Sequence, residues 1–252
     1  AAVDRPDGTG LLQRHHALLH QQLMLTLCLD TTSGPSSIAI SRDGQLLAAS
    51  LVTAPGKRQN AWLLPELQRL LASCELDSAQ IDLFACANGP GSFTGVRTGV
   101  ATIQGLALAH GKPCIGISTL ALLAMQLPYA QHPVCPLLDA RKNEVYAGLY
   151  SCNPLPTPLR NDCALPPTEF LQQLSGPTIF LGDGATRYRQ LIQDLLGDNA
   201  LFAPTSHAIP YAAHGTLLAE TAFRKGMTDT PEQLLPTYLR LSEAELARQQ
   251  KI

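Results

Sequence analysis

The sequence predicts an α/β protein of two similar lobes, each a mixed sheet flanked by helices. Three observations carry this. A strand that ends in Asp and is followed by a turn and a returning strand occurs twice, at Leu25-Thr-Leu-Cys-Leu-Asp30 and at Val134-Cys-Pro-Leu-Leu-Asp139. Strand–helix alternation follows each copy, as repeated α/β units require. Between them lies a Gly-rich strand-to-helix turn, Asn88-Gly-Pro-Gly-Ser-Phe-Thr-Gly-Val-Arg-Thr-Gly99. Turns of this kind are where α/β proteins usually hold phosphate.

The elements follow in order. After the first strand, Thr31–Pro35 is a turn and Ser37–Ile40 a second strand. Arg42-Asp-Gly-Gln45 carries a hairpin signal into a third strand, Leu46–Val52. Leu63, Leu64, Leu67, Leu70 and Leu71 recur at helical spacing within a helix at 61–74. The apolar run Ile81–Ala87 is a buried strand, and Val100–Ala109 is read as the helix after the turn. A strand at 112–118 and a helix at 119–127 complete the first lobe. In the second, Arg141–Glu144 is a turn, Val145–Tyr150 a returning strand and 154–167 a Pro-rich stretch. A helix at 168–174, a strand at 178–181, and helices at 185–196 and 211–224 follow. The expected division is a first lobe over 24–127 and a smaller second lobe over 128–252, split near 127–133. Residues 1–23 lack periodicity and read as a leader or cloning remnant ahead of Met24.

Bulk properties narrow the function. A length of 252 residues suits one large domain or two small ones, and a net charge of −2 provides no bulk attraction to nucleic acid or anionic membrane. No apolar run approaches the roughly 20 residues of a membrane span. The seven cysteines are scattered without a Cys-x-x-Cys pair, which reads as small buried hydrophobes in a reducing cytosol.

The chemistry at the Gly-rich turn has two readings. The Lys of a Walker loop is absent, and Thr94 stands where a dinucleotide fingerprint needs its third glycine. Helix N-terminal amides with Arg97 remain a route to an anion. The structural reading uses the same residues: Pro90 and Gly91 shape a turn, and Ser92 or Thr94 caps the helix. Gly95 and Gly99 form one row of small residues at helical spacing, and Ala101, Gly105 and Ala109 a second. Glycine inside a helix costs roughly 1 kcal/mol relative to Ala, so these rows imply a tight contact, with a neighbouring element or another chain. His16 and His20 have zinc spacing but lie ahead of the first strand and lack the metalloprotease Glu. Asp30 and Asp139 end matching strands. In two-lobed ATP-binding folds such carboxylates hold metal–phosphate, yet no glycine stands two residues on to admit it.

Four segments in order, Leu27–Thr32, Asn88–Arg97, Leu138–Tyr146 and Pro236–Glu245, resemble the TsaB (YeaZ) family over residues 24 to about 246. The resemblance implies an actin-like, two-lobed ATPase-type (ribonuclease H-like) fold whose active site is eroded. It implies a cytoplasmic, non-catalytic subunit, with no cofactor or metal, required for threonylcarbamoyl modification of adenosine in tRNAs that read codons starting with A. The implied partners are the catalytic subunit TsaD in a heterodimer, the ATPase TsaE, and tRNA indirectly through the complex, with self-association through the same surface. That surface is expected on the two helices of the first lobe, at Trp62, Leu63, Glu66, Arg69, Gly95, Thr98, Gly99, Thr102 and Gly105. The family's His-Ser approach to the first helix is replaced here by Asn60-Ala61. Trp62 reads either as an interface anchor or as a core residue. Two other readings stand beside this one. One is a small-molecule kinase or ATPase using Asp30 and Asp139. The other is a metallopeptidase, for which the sequence offers no credible metal site.

Overall fold

A computed structural model describes residues 23–53 and 59–240, with side chains from 62 onward in the second stretch. The leader, the His16/His20 pair, the Asn60 and Ala61 side chains and Leu241–Glu245 lie outside the described residues.

The first sheet contains β1 (Leu25–Asp30), β2 (Ser36–Arg42), β3 (Gln45–Val52), β4 (Leu83–Gly89) and β5 (Cys114–Ser118), in the order β3-β2-β1-β4-β5. The second contains β6 (Val134–Arg141), β7 (Glu144–Cys152), β8 (Pro156–Leu165), β9 (Thr178–Leu181) and β10 (Ala200–Phe202), in the order β10-β9-β6-β7-β8. In each, three strands run as an antiparallel meander and two join parallel beyond the first strand. The two sheets therefore have one topology, used twice. Helices α1 (Gln59–Ser73), α2 (Phe93–His110) and α3 (Thr119–Ala124) belong to the first half of the chain. Helices α4 (Pro167–Leu171), α5 (Asp183–Arg187), α6 (Arg189–Leu196) and α7 (Ala212–Arg224) belong to the second. This is the actin-like architecture of two mixed sheets flanked by helices.

Side chains alternate across β1. Leu27 and Leu29 pack with Leu63, Leu67 and Leu70 of α1 and Val96 and Ile103 of α2. Cys28 faces the opposite way, with Ala39, Ala85 and Ala87, toward Ala212 and Ala219 of α7. Small residues line that side of the sheet, so α7 lies close: a Cβ at Gly215 would stand 2.4 Å from Cys28 Sγ. All seven cysteines are free, and five are buried.

The structure departs from the sequence expectations in several places. Helix α2 begins at Phe93, ahead of the apolar run at Val100–Ala109; Ser92 caps it, as one of the two expected cap residues, and Gly95 and Gly99 pack against a neighbouring turn. The Pro-rich stretch holds β8, an edge strand. Proline is tolerated there because an edge leaves one side without ladder partners. The helix read over 185–196 is two helices meeting at Tyr188, and the three-residue β10 was too short to signal itself. The packing also crosses the linear division near 127–133: α7, although late in the chain, covers the first sheet.

Helix α3 is the shared wall between the sheets. Leu122 packs toward the first, while Leu120, Leu123 and Ala124 pack with Val134, Leu138 and Tyr150 of the second. Ser118 caps α3 by accepting from the Leu120 and Ala121 amides, both at 3.2 Å. Its hydroxyl donates to Asp162 of β8 at 2.5 Å, and the Tyr150 hydroxyl donates to the other Asp162 oxygen. Gly148 leaves room for that carboxylate: a Cβ there would lie 2.5 Å from Asp162 Oδ1. Burial pushes the Asp162 carboxyl and the Tyr150 phenol upward.

Replacing Asp162 by Ala leaves the buried Tyr150 hydroxyl and the half-buried Ser118 hydroxyl without their acceptor. We expect Asp162→Ala to lower the unfolding free energy by about 2–3 kcal/mol and Tyr150→Phe by about 1 kcal/mol, measured by urea denaturation. Equal losses would contradict Asp162 as the shared acceptor.

Candidate functional site

The Gly-rich turn closes on the chain's own carbonyls. A Cβ at Gly91 would stand 2.3 Å from Thr32 O, one at Gly95 1.9 Å from Thr31 O, and one at Gly99 2.6 Å from Thr31 Oγ1. Gly89, at φ +123°, has Thr237 O 2.4 Å from its Cβ position. The Ser92 amide donates to Thr32 O at 2.7 Å, and Thr31 Oγ1 donates to Gly95 O at 2.7 Å. Carbonyl oxygens carry partial negative charge, so this arrangement opposes an anion where glycine would otherwise admit one. Of the two readings of the turn, the packing one accounts for each of these glycines.

Asp30 and Asp139 have different local partners. Asp30 is 1% exposed; its Oδ1 accepts from the Thr32 amide at 3.0 Å and the Thr32 hydroxyl at 2.6 Å. Its Oδ2 is buried without a hydrogen-bond partner. Desolvation lifts the carboxyl from 3.8 to about 6, against the pull of the Thr32 bonds. Asp139 instead accepts from the Arg141 amide at 3.0 Å and pairs with Arg187 Nη1 at 3.0 Å and Arg141 Nη1 at 3.4 Å. Its own amide donates to Asp183 Oδ1 at 3.0 Å. Among the described residues, no group of His, Cys, Asp and Glu is placed to hold a metal ion.

The residues expected at a partner surface separate into two sets. Leu63, Gly95 and Gly99 are buried within the chain and serve its core; the expectation that they face a partner does not fit their placement. The reason is the close approach to Thr31, which consumes the first small row. Trp62 is half-buried at the margin of the same core. Glu66 and Arg69 form an ion pair at 2.5 Å, which holds the Glu66 carboxyl down at about 2. Thr98 and Thr102 are half-buried, each hydroxyl donating to the carbonyl four residues earlier, at 2.9 and 2.8 Å. Gly105 is exposed, with nothing within 4 Å of its Cβ position. Ala101, Leu108 and Ala109 are exposed beside it, Leu108 to 65%, and Leu64 of α1 is 54% exposed. The second small row is thus the open one.

Sequence reasoning missed how closely the C-terminal stretch engages the turn. Thr237 N donates to Asn88 O at 2.7 Å, and Asn88 Nδ2 donates to Leu235 O at 3.2 Å. Gln104 Nε2 donates to Pro231 O and Leu234 O, both at 2.9 Å. Tyr238 stacks on Phe93 at 4.7 Å and accepts from Arg97 Nε at 2.8 Å. Arg97, held in reserve for an anion, lies over the Phe93 ring at 3.9 Å instead. The only available signal was the Tyr-Leu-Arg motif, which carried no indication of where it docks.

Asp30 yields a pH prediction. Its pKa is raised in the folded state, so its contribution to stability is full below about pH 4 and is lost as pH rises through about 6. The rise from 3.8 to about 6 is worth about 3 kcal/mol. Asp30→Asn cannot ionise. Urea unfolding between pH 4 and 7.5 should show a flatter profile for the variant by this amount, and parallel profiles would contradict the assignment.

A family model described as TsaD, tRNA N6-adenosine threonylcarbamoyltransferase, matches residues 55–248. The chain is similar to the tRNA threonylcarbamoyladenosine biosynthesis protein TsaB of Bacillus subtilis (strain 168), at 31% identity over 229 residues, 88% of this chain and 96% of the relative. It is 32% identical to the protein of the same name from Escherichia coli (strain K12), over 86% of this chain and 95% of the relative. Among solved structures, it is similar to YeaZ from Pseudomonas aeruginosa, with a TM-score of 0.74 at 29% identity, covering 86% of this chain and 100% of that one. With the duplicated sheets, the closed Gly-rich turn and relatives matched over nearly their whole length, the chain belongs to the TsaB family of tRNA threonylcarbamoyladenosine biosynthesis proteins.

Proposed function

We propose that this chain is a cytoplasmic binding subunit with no catalytic centre of its own. It pairs with TsaD through the outer face of α1 and α2, holds that enzyme in a competent shape, and works with the ATPase TsaE on tRNAs reading codons that begin with A. It contacts tRNA through the assembled complex. The same face supports self-pairing when TsaD is absent. The observation that carries this reading is the division of labour within α2. Its inner side, at Gly95 and Gly99, is spent on Thr31, while its outer side, at Ala101, Gly105, Leu108 and Ala109, is small, exposed and open. A backbone of another chain can approach such a row closely. The kinase or ATPase reading finds less support: Asp30 is sealed under Thr32, and Asp139 is committed to Arg187 and Arg141.

Reconstitution tests the reading. The purified chain alone should make no threonylcarbamoyladenosine. Mixed with TsaD, TsaE, tRNA, ATP, bicarbonate and threonine it should support synthesis, and a mixture that works equally well without it would refute the proposal.

Substitutions divide the two rows. Gly105→Leu should leave the melting temperature within a few degrees of the parent and reduce pairing with TsaD at least tenfold by calorimetry. Gly95→Ala should instead destabilise the isolated chain by about 1–3 kcal/mol or more, since its Cβ meets a backbone carbonyl. If Gly105→Leu pairs normally, the outer row is not the interface.

A further inference from the structure

Among the described residues after α7, 225–240, there is no helix or strand, yet their polar groups are engaged step by step. At its start, Asp229 exchanges backbone hydrogen bonds with Cys114 of β5, at 2.8 and 3.2 Å. Leu234, 1% exposed, is driven into the first core. Thr237 then crosses the end of β4, its amide on Asn88 O and its carbonyl against Gly89. At its far end, Arg240 Nη1 donates to Glu144 Oε2 at 2.9 Å, at the start of β7 in the second sheet. The segment therefore begins on one lobe and finishes on the other.

Its last residues lie at the ends of particular strands. Open α/β sheets take their ligands outside the carboxyl ends of their parallel strands. In the first sheet β4 ends at Gly89, and in the second β6 ends at Arg141, one short turn from Glu144. Asn88, Gly89 and Glu144, at those strand ends, are met by the segment's last residues, Leu235, Thr237 and Arg240.

We propose that Asp229–Arg240 is a resident strap whose last residues, Leu235–Arg240, fill, in cis, the crevice where this fold class takes a ligand, and that it fastens the two lobes at one angle through Arg240 and Glu144. Tethering makes it an occupant at high effective concentration. A fold that elsewhere closes on a diffusible ligand is held shut here by its own chain. This goes beyond the partner-binding reading and does not depend on it.

Hydrogen–deuterium exchange on the full chain tests the strap. Tyr238→Ala/Arg240→Ala removes its last two contacts. Exchange should accelerate about five- to tenfold across Asn88–Ser92 and across Arg141–Tyr146, with β1 and α7 unchanged. Faster exchange confined to residues 229–240, with Arg141–Tyr146 unaffected, would reduce the strap to a packed tail and overturn the proposal. Arg240→Ala alone removes only a surface pair, so it stays folded and should still accelerate Arg141–Tyr146; no change there overturns the fastening role. Finally, Mg-ATP added to the parent protein should leave exchange at Asn88–Ser92 unaltered. Protection of that turn by nucleotide would mean the crevice is open to a ligand, against the proposal.

Discussion

The carbonyl oxygens of Thr31 and Thr32 stand where Gly95 and Gly91 would carry their first side-chain carbon. This contact between the β1–β2 turn and the start of α2 constrains much of what surrounds it. It sets where α2 begins, since the helix can start at Phe93 only if its first turns lie flat against Thr31. It seals Asp30, whose Oδ1 is satisfied by Thr32 and whose Oδ2 is buried unpaired. It also fixes the roll of α2 about its axis. With Gly95 and Gly99 inward, the residues at Ala101, Gly105 and Ala109 must face out.

The two sheets share one strand order but treat their strand-end carboxylates in opposite ways. Asp30 is desolvated and pushed toward its neutral form, whereas Asp139 lies between the guanidinium groups of Arg141 and Arg187. Each carboxylate takes its hydrogen-bond and ion-pair partners from its own lobe. The lobes are joined by other means. Helix α3 lends apolar side chains to both sheets, and Ser118, Tyr150 and Asp162 form a partly buried polar tie whose cost is met by mutual hydrogen bonding.

The duplicated strand–turn–strand units were legible in the sequence because their signals are local: apolar runs ending in Asp, an Asp-Gly hairpin, and leucines at helical spacing. The edge strand β8 was not, because proline masks strand propensity and only the sheet context makes it admissible. Nor was the affiliation of α7, which depends on small residues in strands far away in sequence matching Ala212, Gly215 and Ala219. At the candidate site, the small rows on α2 were visible as spacing, but which row was internal was not. Spacing reports that a close approach exists. The neighbour that makes it is a tertiary fact, and for Leu63, Gly95 and Gly99 that neighbour is the chain itself.

The Gly-rich turn shows the same limit in chemical form. Glycine at Gly89, Gly91 and Gly95 is required because another group comes closer than any side chain permits. In a phosphate loop that group is an anion, received by amides. Here it is a carbonyl of Thr237, Thr32 or Thr31, and the charge logic is reversed. Glycine content alone cannot separate these cases, because both demand the same bare backbone. What separates them is the company the turn keeps. A phosphate site adds a cation aimed into the crevice, whereas here Arg97 lies over Phe93 and donates to Tyr238. The cation that would have drawn a ligand in has been turned to hold the chain's own segment in its place.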